Sequence, residues 1–166
     1  MVVKSRRLPV PGETVTGGQF VMVPGGKGAN QAVAAARLGA EVTFVASVGD
    51  DLFGTQAVQG YGRDGIVTDH IRRDPELATG VALILVDEDG ENLISVASGA
   101  NHALSPDDVD AVQEQIAGAN AVMLQLEVPL PLSSERLRSR PGLACPSFWI
   151  RLQFPTSPSR QLYSET

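Results

Sequence analysis

The sequence predicts an α/β protein: a parallel βαβ sheet body with a small, separate β-sheet as a flap on that body. Three observations carry this expectation. Short apolar, β-branched runs alternate with helical patterns between Asn30 and Leu126, which is the signature of parallel strands joined by crossover helices. Two stretches, Thr14–Val23 and Val81–Ala97, break that alternation and read as β-structure alone. Hydrophobic residues make up 43% of the chain and charged residues 19%, both near the globular average, so a packed core is within reach.

Thr14–Val23 mixes β-branched residues with Gly17 and Gly18, a strand with a turn or bulge. Asn30–Leu38 repeats Ala, Val and Leu on one face and is followed by Gly39, a helix with its C-terminal glycine. Glu41–Val48 is a short apolar run, expected as a buried strand. Asp50 or Asp51 can cap a helix running to about Tyr61. Ile66–Arg72 alternates as a further strand. Val81–Val86, the turn Asp87-Glu88-Asp89-Gly90 and Asn92–Ala97 form a hairpin. Ser105-Pro106-Asp107-Asp108 opens a helix, since serine caps, proline suits the first position and acids favour the positive helix end. That helix is expected to end near Gly118. Ala121–Leu126 is a third buried strand, with Glu127 just past its carboxyl end.

Composition excludes several classes. The net charge of −6 argues against an electrostatic nucleic-acid binder. No apolar run approaches the roughly 18 residues of a membrane span, and the opening MVVKSRRLPVPGE has no stretch of signal-peptide length. Cytoplasmic placement is the expectation. Cys145 stands alone, so neither an internal disulfide nor a cysteine-based metal site is available. Residues 133–166 differ from the rest. They hold five arginines against two acids, together with four prolines, Cys145 and the single tryptophan, Trp149. This break sets a boundary near Leu132. Residues 1–132 are read as a domain and 133–166 as an unrelated, disordered tail.

Chemistry concentrates in "VPGGKGANQAVAAARLGA", Val23 to Ala40. It lacks the hydroxyl residue and the spacing of a Walker A loop, and Gly26–Gln31 fails the last position of a dinucleotide loop. Gly60-Tyr61-Gly62-Arg63-Asp64-Gly65 does match Gly-x-Gly-x-x-Gly, but it follows a helix and precedes a strand, the reverse of the dinucleotide context. In the opening stretch, Gly25 and Gly26 allow close backbone approach. Free amides at a helix N-terminus accept an oxygen-rich ligand. Lys27 and Asn30 add donors and an acceptor, a mixture suited to a small polyol. A glycine turn with a solvated lysine and a capping asparagine is the alternative. Glu127 stands at the carboxyl edge of the expected sheet, where α/β proteins place ligands. A surface glutamate opening the loop before Pro129 is its alternative. Asp50 and Asp51 read as helix caps rather than a metal pair. His70 and His102 are isolated, without the partners a metal site needs.

"PGETVTGGQFVMVPGGKGANQAVAAARLGAEVTFVASVGDDLFG", "TGVALILVDEDGENLISVASGANHALSP" and "AVMLQLEVPLP" closely resemble the ribokinase family of carbohydrate kinases, the PfkB type, over roughly residues 8–132. The resemblance implies an α/β sandwich with a β-sheet lid over a sugar site, the lid being Thr14–Val23 and the Val81–Ala97 hairpin. It places the sugar-holding glycines, lysine and asparagine of the family on Gly25, Gly26, Lys27 and Asn30, and the family's strand-end glutamate on Glu127. It implies phosphorylation of ribose at O5 from ATP with Mg2+ and a monovalent cation, K+, and pairing of two copies through the lid.

Two departures bear on activity. The family's first strand ends in an Asn-x-Asp element whose aspartate grips the sugar, and Met1-Val2-Val3-Lys4 resembles the residues immediately after that aspartate. The family's second signature, a Gly-Ala-Gly-Asp-like helix start with the anion hole and catalytic base, does not occur in these residues. The chain is therefore expected to be truncated at both ends and catalytically inactive alone. Its rival description is a non-catalytic product that pairs with a full-length kinase through its lid or is degraded.

Overall fold

A computed structural model describes residues 1–125 and 127, and the backbone of Trp149–Gln153. The chain forms two four-stranded sheets. The first, the lid sheet, contains β1 (Val2–Lys4), β2 (Gln19–Val21), β5 (Val81–Val86) and β6 (Asn92–Ala97), in the order β2-β1-β5-β6. The second, the body sheet, contains β3 (Glu41–Gly49), β4 (Ile71–Asp74), β7 (Ala121–Met123) and β8 (Trp149–Gln153), in the order β4-β3-β8-β7. Helices α1 (Lys27–Arg37), α2 (Leu52–Arg63), α3 (Pro106–Asp110) and α4 (Gln113–Ala117) and a 3-10 turn (Gly99–Ala103) complete the described residues.

The core belongs to the body. β3 is buried along all but its first residue, as expected of a strand covered on both faces. Its Phe44 meets Tyr61 of α2 edge-to-face, with ring centroids 5.3 Å apart and planes at 86°. Ala32 of α1, and Leu104, Val109 and Val112 before and within the α3–α4 segment, close the same cluster. β3 and β4 are parallel, joined through α2, with Ala46 opposite Ile71 and Gly49 opposite Asp74. The lid sheet is different. None of its strand residues is buried, and β6 is exposed throughout.

Several expectations need correction. The Thr14–Val23 strand is only Gln19–Val21, and it pairs with Val2–Lys4, a strand that carries no turn signal of its own. The strand expected over Ile66–Arg72 starts at Ile71. Val67 makes only an isolated bridge to Thr43, because a turn closed by the Ile71 amide on Thr68 O at 3.0 Å intervenes. The single helix expected from Ser105 to Gly118 is two short helices. The Val112 amide bonds Val109 O at 3.1 Å, a tighter turn that sends both valines inward. The strand expected over Ala121–Leu126 is described as Ala121–Met123, and Leu126 lies outside the described residues.

The tail also departs from expectation. Trp149–Gln153 is a strand rather than disordered chain, antiparallel to both β3 and β7. It follows that β3 and β7 run in the same direction with β8 between them. The reason is local and non-local together. Ile150, Arg151, Leu152 and Gln153 alternate apolar and polar, and two neighbouring strands offer backbone groups that require partners. The remainder of 133–166 lies outside the described residues.

Candidate functional site

The site is built on the entry to α1. Gly26 caps the helix at φ 97°, a left-handed backbone that only glycine adopts without strain. Its carbonyl accepts the Asn30 amide at 2.9 Å, the first bond of the helix. No side chain caps this end, and no acid lies in the first turn. The amides of the first turn are therefore open to an oxygen-rich ligand. Helix α1 starts at Lys27 rather than at Asn30, so the lysine sits on the first turn and the asparagine one turn further along.

Lys27 and Glu127, one hundred residues apart, meet as an ion pair between Nζ and Oε1. Both side chains are largely exposed, at 71% and 48%. Glu127 follows β7, so the carboxyl edge of the body sheet and the amino end of α1 converge. Gly25, Gly26 and Asn30 lie exposed beside this pair. Among the described residues, no partner hydrogen-bonds the Asn30 side chain. All five residues singled out in the sequence thus lie at or beside one helix entry.

The other acids are otherwise engaged. Asp51 caps α2, accepting the Gly54 amide at 2.8 Å, and Asp50 pairs with Arg73 at 3.5 Å. Asp51 does more than its place in the sequence suggests. It also accepts the amide and the hydroxyl of Thr79, at 2.8 and 2.7 Å. The Gly54 amide foremost, then that of Thr79, holds its carboxyl below the ordinary range. Thr79 carries no signal in the sequence, since its partner is 28 residues away. Ser105 caps α3 as expected, and Asp108 completes a capping box with it. Among the described residues, no group of three His, Cys, Asp or Glu could hold a metal ion, and no helix is long and apolar enough to cross a membrane.

Comparison with known proteins decides the family. Residues 2–138 match the sequence profile of the pfkB family carbohydrate kinases. The chain belongs to this family. It is 47% identical over 120 residues to the ribokinase of Haemophilus influenzae, covering 72% of this chain and 39% of that one. It is 40% identical over 166 residues to the ribokinase of Bacillus subtilis, covering 100% of this chain and 55% of the relative. That alignment runs beyond Leu132, through the segment read as unrelated. Among solved structures, ribokinase from Giardia lamblia superposes with a TM-score of 0.73 at 34% identity over 78% of this chain and 40% of that one. Arabidopsis thaliana ribokinase, complexed with ribose and ATP, gives 0.63 at 36% identity over 77% and 42%. The fold is ribokinase-like and incomplete. The chain spans about two fifths to a little over half of these relatives.

Proposed function

We propose that this pfkB-family chain carries the acceptor-sugar site of a kinase that phosphorylates ribose at O5 from ATP. The observation that carries the reading is the Lys27–Glu127 pair at the open end of α1. The pair cancels its own charge. It leaves a site of backbone amides, ammonium, carboxylate and the Asn30 amide, donors and acceptors matched to the hydroxyls of a neutral sugar rather than to a free anion. Phosphoryl transfer depends on positioning and charge stabilisation. These residues supply the positioning of the sugar and nothing for the phosphoryl group. Among the described residues no group of three His, Cys, Asp or Glu could hold a metal ion, and turnover is not assigned to this chain alone.

The lid supports the same reading. Val21, Ile94 and Val96 are exposed on one face of the sheet, Phe20, Leu83 and Leu93 on the other. A two-faced apolar sheet without a core of its own has one face for the sugar site and one for a second copy of the chain or of a full-length kinase.

Ribose titrated into the chain and into Asn30→Ala tests the site. The variant is expected to lose about 5- to 160-fold in affinity, since a sugar hydroxyl left unpaired in the bound state costs on the order of 1–3 kcal/mol. Equal, measurable affinity in both removes Asn30 from the site. A coupled ADP-release assay with ribose, ATP, Mg2+ and K+ is expected to show no turnover. Ribose-dependent turnover of about 1 per second, the low end for kinases, would overturn the division of labour.

A further inference from the structure

Both connections of the β5–β6 hairpin to the body pass through one packed knot at the carboxyl end of β3. Leu77–Gly80 leads into β5, and Ser98–Asn101 leads out of β6. Asp51 receives the Thr79 amide on Oδ2 at 2.8 Å and the Thr79 hydroxyl on Oδ1 at 2.7 Å. The same hydroxyl accepts the Gly49 amide of β3 at 2.9 Å. Thr79 is thus tied to the last residue of β3 and to the cap of α2 by one side chain. Asp74 holds the approach, accepting the Glu76 and Leu77 amides at 2.9 Å each. The exit is tied to the entry where the Ala100 amide bonds Ala78 O at 2.8 Å.

No slack remains. A Cβ on Gly49 would stand 2.5 Å from the Thr79 nitrogen and 2.6 Å from Leu77 O. A Cβ on Gly99 would overlap Ala78 O. Beyond the knot, β5 is held by its pairing with the short strand β1, and β6, on the outer edge, is exposed along its whole length. The hairpin is therefore anchored chiefly at its base.

We infer that Asp51 and Thr79 are positioning residues that fix the root of the lid and set where its hairpin stands over the entry to α1. The inference rests on the reading of that sheet as the cover of a sugar site. Leverage gives it weight. Six residues of β5 extend roughly 17 Å at about 3.3 Å per residue, so a tilt of about 10° at the root moves the tip by roughly 3 Å. A misplacement of about 1 Å can cost 10²-fold in a positioned reaction.

The test is amide hydrogen exchange in the full chain without ligand, comparing wild type, Thr79→Val and Thr79→Ser. Valine keeps the branched shape and removes both hydroxyl bonds, whereas serine restores them. In Thr79→Val the amides of β5, β6 and Ser98–Asn101 are expected to exchange at least tenfold faster, with Val42–Val45 of β3 unchanged and Thr79→Ser like wild type. Should Thr79→Val not fold, Asp51→Asn, which keeps an acceptor for Gly54, takes its place in the same comparison. Unchanged exchange in the hairpin, or an equal rise in β3, overturns the inference. Ribose titration of the same proteins separates the two readings. If wild type binds ribose, Thr79→Val is expected to bind it at least tenfold more weakly. If wild type does not bind ribose, the sugar reading fails while the exchange data still decide the root.

Discussion

Replacing Asp51 with alanine tests how much of the fold depends on one half-buried carboxylate. The side chain satisfies three donors: the Gly54 amide, the Thr79 amide and the Thr79 hydroxyl. Loss of an N-cap costs about 0.5–2 kcal/mol, and a buried donor left without an acceptor costs about 1–3 kcal/mol. The hydroxyl can rotate and water can reach part of this site, so the total is set at about 2–4 kcal/mol. Against a typical domain stability of about 5–15 kcal/mol, that is a large fraction. The assay is urea denaturation of wild type and Asp51→Ala at neutral and acid pH. The folded carboxyl is held below its ordinary value, chiefly by the Gly54 amide. Its contribution is therefore complete above the ordinary value of about 3.9 and is lost as pH falls through the lower, folded value. The gap between the two proteins should be widest at neutral pH and close in acid. A gap below about 0.5 kcal/mol at pH 7, or one that stays constant into acid, would refute the reasoning.

Three further outcomes are expected. Glu127→Gln should leave the urea midpoint nearly unchanged, because an exposed ion pair contributes about 0–1 kcal/mol, while weakening ribose binding about tenfold. A large stability loss with unchanged binding would make Glu127 a structural residue. Phe44→Ala removes a ring that is 2% exposed and packed on Tyr61, and should cost about 3–5 kcal/mol in urea denaturation; a loss under about 1 kcal/mol would contradict the packing. Ile94→Lys on the exposed lid face should shift a concentration-dependent dimer to monomer in sedimentation, with the circular dichroism of the body intact. A mass that Ile94→Lys does not alter removes this face from any pairing surface.

The parts of the fold legible in the sequence are those whose causes are local. The hairpin is legible to the residue because Asp87–Gly90 is a turn sequence between the apolar run Val81–Val86 and the β-prone stretch Asn92–Ala97. Asp51 is readable as a cap for the same reason. β1 is not, since three residues without a turn signal become a strand only by pairing with Ile84–Val86. β8 is hidden by the arginines and prolines around it, and its order comes from β3 and β7. The candidate site divides in the same way. Gly25, Gly26, Lys27 and Asn30 fall within six residues and stand out together, and Glu127 is marked by its place after a strand. That Lys27 and Glu127 touch is not legible, nor is the bond from Asp51 to Thr79.

These non-local bonds separate what holds the body from what holds the lid. β3 serves both. Its buried middle, with Phe44 and Val42, is the centre of the core, while its last residue, Gly49, donates to the Thr79 hydroxyl. A lesion at Phe44 should therefore unfold the body and carry the lid with it. A lesion at Thr79 should free the hairpin and spare the body, because the hairpin contributes no buried residue to the core. The two-sheet division follows from this asymmetry. A sheet with no core of its own takes its order from the sheet that has one, and the clasp through Asp51 is where that order is passed on. A cover that must open and close over a ligand is better served by such an arrangement than by a shared core, since motion of the hairpin then costs few buried contacts. The proposed site lies at the entry to α1, where Gly25, Gly26, Lys27 and Asn30 are exposed, whereas Gly28 and Ala32 of the same helix are buried against the body.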